Sequence, residues 1–137
     1  MSAMVKVSVI IPVYNVAPYL GECLDSVLQQ SLKDIEIVCV DDCSTDNSSF
    51  LLKKYAESDI RIRLFYNERN RDLSFTRNRG LKESCGEYVF FLDSDDALYD
   101  NEVLKELYII AEQDDAELVS GRTVNWFPDE SGKEYVV

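Results

Sequence analysis

The chain of 137 residues has no histidine, only five glycines and three prolines, and 14 basic residues against 26 acidic ones. Each shortage excludes something. Without histidine, a zinc centre would rest on Cys23, Cys39, Cys43 and Cys85, whose spacing fits no zinc pattern. They read as reduced thiols, mostly in a core. The formal net charge of −12 sets up a field that repels phosphate backbones, which argues against nucleic acid as a partner. An anionic small molecule would need a local remedy, such as a divalent cation. No apolar run approaches membrane-spanning length, and the N-terminus lacks signal-peptide architecture, so a cytoplasmic location is the default expectation. No low-complexity tract, linker or internal repeat interrupts the chain. What remains, 46% apolar and 29% charged, is the balance of one globular domain with a core of its own.

Apolar patterning alternates between two periods. "VKVSVIIPV" (5–13) is rich in β-branched residues and reads as a buried strand that Pro12 ends. Pro18 suits a helix first turn, and Tyr19, Leu20, Cys23, Leu24, Val27 and Leu28 recur at helical spacing to about Gln30. "IEIVCVDD" (35–42) is a second strand. "STDNSSFLLKKYAE" is a second helix with Ser44, Thr45 or Asp46 as its cap. Strands are expected at 62–66, 88–92 and 117–124, and helices over "LSFTRNRGLKES" and 102–112. Such regular alternation implies an α/β fold with a mostly parallel central sheet and helices on both faces. The tail "NWFPDESGKEYVV" reads as a hairpin or an edge strand.

In open α/β sheets, ligands bind outside the carboxyl ends of the strands. Three polar clusters fall there: "PVYN" after the first strand, "DDCSTDNS" after the second and "DSDD" after the fourth. Connection rules make these strands neighbours, so the clusters should converge. Asp93, Asp95 and Asp96 crowd three carboxylates beside a buried strand, which costs free energy unless positive charge offsets it. The bland account is a solvated loop with a capping Asp. The sharper one is a site for Mg2+ or Mn2+, hard ions that favour carboxylate oxygens and share their shell with phosphate oxygens. Asp41 and Asp42 exceed what capping the second helix needs, and an Asp at a strand end can accept from a base N–H or a ribose hydroxyl. Asn15 either closes a turn or orients a nucleotide. Arg77 and Arg79 stand two apart on a helix and point to different faces, so at most one reaches the site. Arg77 is the choice, pairing with a "DSDD" carboxylate or contacting a diphosphate.

In that order and spacing, "VSVIIPVYN", "VDDCSTDNS", "FTRNRGL" and "GEYVFFLDSDD" resemble the nucleotide-binding part of family 2 inverting glycosyltransferases, which have the GT-A fold. Each piece alone is modest; the ordered set, from Val5 to about Val124, is specific. The resemblance implies one Rossmann-like domain over 1–137 that binds a nucleotide-sugar donor, with a UDP-sugar expected. It implies that Pro12, Val13, Tyr14 and Asn15 line the base and ribose pocket, and that Asp42 accepts from the uracil ring with Asp41 in support. Asp93 and Asp95 would form the family's DXD motif. Asp95 would ligate Mn2+ or Mg2+ bridging the diphosphate, Asp93 would hold the ribose or a metal-bound water, and Asp96 would assist. Cys43 departs from the pattern, because the family usually has Gly there. The family's general base lies in a later acceptor-binding half, expected beyond residue 137; Asp129 and Glu130 are poor substitutes in a Pro/Gly-containing loop.

The intact enzyme would transfer the sugar to a saccharide or lipid-linked acceptor and could associate with a membrane. This chain alone would bind donor only, and apolar surface around Trp126 and Phe127 would favour a homo-oligomer. Two rivals stand beside this reading. A phosphatase would carry its Asp-x-Asp after the first strand, where "PVYN" stands, and a receiver needs an Asp after the third strand and a Lys after the fifth, where "FYNERN" and "SGRT" supply neither. A non-catalytic nucleotide-binding module is the other.

Overall fold

A computed structural model of the chain describes residues 4–126 and 134–136. Four strands and four helices alternate: β1 (Val7–Val13), α1 (Ala17–Leu28), β2 (Ile35–Asp41), α2 (Ser48–Ser58), β3 (Ile62–Tyr66), α3 (Leu73–Glu83), β4 (Tyr88–Phe91) and α4 (Val103–Gln113). The strands form one parallel sheet in the order β3-β2-β1-β4. β1 and β2 are buried at every position, as central strands covered on both faces must be.

Residues alternate across β1 with period 2, and each face has its own cover. Val7, Val9, Ile11 and Val13 pack with Leu20, Cys23, Leu24 and Val27 of α1, Leu52 of α2 and Leu104 of α4. Ile10, Val38 and Val40 face the other way, toward α3. There Gly80 allows a close approach: a Cβ at that position would lie 2.5 Å from Ile10 Cγ2.

Two expectations change. β1 runs through Pro12 to Val13, with Pro12 opposite Val40. The Ile10 carbonyl bonds Leu92 N on the β4 side. Pro12, two residues on, turns its missing N–H to that same side, where pairing with β4 has stopped at Ile10. The fifth strand does not form over 117–123; Leu118 is exposed there. The chain leaves α4 through Asp115 at φ 49°, and strand structure resumes only at β5 (Val124–Trp126), which pairs antiparallel with β6 (Glu134–Val136). The tail is thus a hairpin, outside the parallel sheet. Phe127, Asp129 and Glu130 lie outside the described residues.

The order of the strands reverses at β1, with β2 and β3 on one side and β4 on the other. A ligand crevice belongs at the carboxyl ends of the strands at such a reversal. All three polar clusters leave the sheet at that end.

Candidate functional site

The β1 and β2 exits are stitched together by Asn15. Its backbone N–H donates to Ser44 Oγ at 3.0 Å, and its Oδ1 accepts from the amides of Thr45 at 2.8 Å and Asp46 at 3.3 Å. Asn15 adopts φ 49°, a left-handed conformation that asparagine tolerates better than most residues. Asp46 then serves two helices. Its carboxylate accepts from Ser48 N at 2.9 Å, at the start of α2, and from Ala17 N at 3.1 Å, at the start of α1. Hydrogen bonding from Ser48 holds the Asp46 carboxyl below the ordinary aspartate range. Asn47 stands at the cap position of α2 without a side-chain bond, so Asp46 supplies the acceptor. Cys43 has φ 63°, which is the physical reason glycine suits that place.

Asp41 and Asp42 are both buried. Asp41 accepts from Ser44 N at 3.3 Å and Ser49 Oγ at 3.0 Å. Asp42 Oδ1 accepts from Asn67 Nδ2 and from Arg71 N, each at 2.8 Å, and Oδ2 accepts from Asp72 N at 3.2 Å. Asp42 therefore anchors the segment between β3 and α3. Asn67 also donates to Thr76 Oγ1 at 3.0 Å, and Asp72 caps α3 by accepting from Phe75 N at 2.8 Å. This ring of Asn67, Asp72 and Thr76 is absent from the sequence reading. Its only local signal is the Asp72 cap ahead of "LSFTR", because Asn67 and Thr76 acquire their roles through contact with Asp42.

At the β4 exit, the carboxylates of Asp93, Asp95 and Asp96 bring oxygens within 4.8 Å of one another. The turn closes on itself through Asp96 N to Asp93 O at 3.0 Å. Burial, then the charges of Asp95 and Asp93, push the Asp96 carboxyl up. Arg77 Nη2 donates to Asp93 Oδ1 at 2.6 Å, while its buried Nε has no hydrogen-bond partner among the described residues. Arg79 turns the other way, to the Tyr66 carbonyl and to Asn67 Oδ1 at 3.0 Å. Arg77 thus supplies part of the offsetting charge. The hard oxygen donors and residual negative charge of the turn fit a small divalent cation.

Pro12 and Val13 are buried in the sheet, and the Val13 carbonyl accepts from Asp42 N at 2.8 Å. Tyr14 is exposed at the rim. The structure brings Asn15 to the 44–46 loop and Arg77 to Asp93, while Arg79 stays apart.

A parallel α/β sheet with three polar loops at its carboxyl edge is common to nucleotide-binding folds, and likeness to solved glycosyltransferases makes this one a GT-A domain. The chain belongs to glycosyltransferase family 2: the description "Glycosyl transferase family 2" matches residues 8–136. GlyA of Streptococcus pneumoniae is 52% identical over 91 residues, covering 66% of this chain and 13% of GlyA. GlyG of the same organism is 37% identical over 125 residues, covering 91% of this chain and 40% of GlyG. Among solved structures, S. aureus TarS 1–349 in complex with UDP-GlcNAc superimposes with a TM-score of 0.74 at 36% identity, covering 79% of this chain and 31% of TarS 1–349. The mannosyltransferase PcManGT of Pyrobaculum calidifontis, in complex with GDP-Man and Mn2+, gives 0.69 at 29% identity, over 75% of this chain and 31% of that one. The chain spans well under half the length of each of these relatives. Among the described residues, no helix is long and apolar enough to cross a membrane.

Proposed function

We propose that this chain is a single donor-binding domain of a glycosyltransferase, taking a nucleoside diphosphate sugar, with uridine as the base, together with Mn2+ or Mg2+. The observation that carries the reading is the acidic turn paired to Arg77 at the carboxyl edge of β4, beside the Asn15 and Asp42 loops of β1 and β2. The UDP-GlcNAc complex of TarS and the Mn2+ complex of PcManGT support it by likeness.

Asp93, Asp95 and Asp96 would hold the cation. When bound, it supplies Lewis-acid stabilisation of the leaving diphosphate. Arg77 keeps Asp93 oriented in its absence, and its side chain, 36% exposed, offers a positive charge to a diphosphate. Asp42 has three of its roughly four acceptor sites engaged, which leaves capacity for one base N–H. Asp41 supports it from the neighbouring position, and Pro12, Val13, Tyr14 and Asn15 shape the pocket wall, the first two through their backbone. Transfer in the whole protein is an inverting displacement at the anomeric carbon by a saccharide or lipid-linked hydroxyl, with a carboxylate as general base. No described residue is assigned that role, and this chain alone binds donor without transferring.

The test is calorimetry of UDP with the chain in Mn2+, in Mg2+ and in EDTA. Cation should strengthen binding, and Asp95→Ala, an exposed position, should abolish the enhancement while the circular dichroism spectrum stays unchanged. Equal affinity in EDTA and Mn2+ would sink the reading.

A further inference from the structure

Helix α1 carries a polar stripe that meets the segment bearing the acidic turn. Cys23, Ser26 and Gln30 follow at spacings of three and four, so they share one side of the helix and its end. Each contacts the 93–104 segment. Cys23 Sγ donates weakly to the Asp93 carbonyl at 3.7 Å. Ser26 Oγ accepts from Leu98 N at 3.0 Å while donating to the Cys23 carbonyl at 2.7 Å. Gln30, 0% exposed, donates to the Asp100 carbonyl at 2.5 Å and accepts from Leu104 N at 3.1 Å. Ser31 adds two more, from its amide to Asn101 O at 2.7 Å and from its hydroxyl to Glu102 Oε2 at 2.9 Å.

Two features make this stripe more than general packing. Its first two bonds, at residues 93 and 98, bracket Asp95 and Asp96 on both sides. Gln30 replaces a missing cap: Glu102 at the N-terminus of α4 makes no side-chain cap bond, and the Leu104 amide in the first turn is satisfied by Gln30 instead. The strand itself ends at Phe91, so the turn has no sheet pairing to hold it. Arg77 pairs with only one of the three carboxylates, Asp93, so repulsion between Asp95 and Asp96 still acts on the turn.

We propose that Ser26 and Gln30 are positioning residues for the cation site, holding the acidic turn in ligating geometry from the back while making no contact with cation or donor. The inference rests on the cation reading above. Outer partners that orient metal-binding carboxylates typically change metal affinity by roughly 10–100-fold when removed. Neither Ser26 nor Gln30 touches a carboxylate of the turn: Ser26 acts two residues past Asp96, through Leu98 N, and Gln30 farther along, through Asp100 O and Leu104 N, so both would act by fixing the segment that leads out of the turn.

The experiment uses the chain itself, with Mn2+ alone as probe and electron paramagnetic resonance counting free ion. Ser26→Ala removes the acceptor for Leu98 N and suits a helix interior; Ser26→Thr keeps the hydroxyl; Gln30→Met keeps the length and loses the bonds. Ser26→Ala and Gln30→Met should each weaken Mn2+ by roughly tenfold. Ser26→Thr should restore most of it. Amide exchange in the cation-free protein should quicken at Leu98 in the first variant and at Leu104 in the second. UDP affinity in EDTA should stay at the wild-type value in all three. Wild-type Mn2+ affinity in both deletion variants would overturn the inference and leave the cation reading intact. An equal loss of UDP affinity in EDTA would overturn it as well, by showing a general structural role. Failure of the wild-type chain to bind Mn2+ would overturn both.

Discussion

Replacing Asp42 by alanine tests whether this carboxylate is a structural anchor before it is a ligand contact. The side chain is 4% exposed and accepts three hydrogen bonds, from Asn67 Nδ2, Arg71 N and Asp72 N. Removing it strands three donors in different settings. Asn67 is 6% exposed, so its amide would lose its bond with little water to replace it. That costs about 2 kcal/mol. Arg71 and Asp72 are exposed residues, and water can reach their amides, so each contributes about 0.5–1 kcal/mol. The total is about 3–4 kcal/mol, a large share of the roughly 7–15 kcal/mol expected for a domain of this size. The melting temperature should fall by roughly 10–15 °C. Asp42→Asn should cost about half as much, because one carbonyl oxygen still serves Asn67 and Arg71 while the amide faces Asp72 N as donor against donor. The assay is urea unfolding followed by circular dichroism, with uridine nucleotide affinity measured beside it at a temperature where both variants are folded. A loss below about 1 kcal/mol for Asp42→Ala would refute the anchoring role. The order Asn worse than Ala would refute the assignment of which oxygen meets which donor.

Gly80→Ala should destabilise the chain by about 1–3 kcal/mol, since the new methyl would sit 2.5 Å from Ile10 Cγ2 and force α3 off the sheet; unchanged unfolding in urea would contradict this. Cys43→Gly should stabilise by about 1 kcal/mol by relieving φ 63°, read as a higher melting temperature. Asp96 has its carboxyl raised by burial and by Asp95 and Asp93, so the folded, cation-free chain binds this proton more tightly than the unfolded chain. Its contribution to stability is present at acid pH and is lost as pH rises through the folded value. Cation ligation needs the ionised form, so the rise in melting temperature produced by Mn2+ should grow from about pH 4 to pH 7. Asp96→Asn should raise the cation-free melting temperature at neutral pH; a Mn2+ effect independent of pH would show that these carboxylates are not its ligands.

Local rules carried the sequence reading a long way. β-branched runs and helical spacing depend on near neighbours, and β3 and α3 formed within a residue of where periodicity put them. The placement of the polar clusters at the carboxyl ends of the strands followed from alternation alone. The family resemblance drew on the same residues, and the match over 8–136 agrees with it.

Other features were decided only when distant segments met. The stretch 117–123 has the composition of a strand, and residues 117–119 line a cavity together with Tyr88, Val89 and Phe90 of β4, but they form no ladder with that edge, because pairing requires register as well as proximity. Arg77 and Arg79 are the same residue type two positions apart; the face each occupies on α3 sends one to Asp93 and the other to Asn67. Asp42, readable from sequence as a ligand contact, is bound by donors 25 to 30 residues away. Ser26 and Gln30 look like ordinary helix-end polar residues until the 93–104 segment lies against them, more than 70 residues later. A periodic pattern fixes which face of an element is apolar. It does not specify which of several equivalent donors or acceptors will face a given side chain, because that choice depends on tertiary packing and on the cost of leaving a buried polar group unpaired.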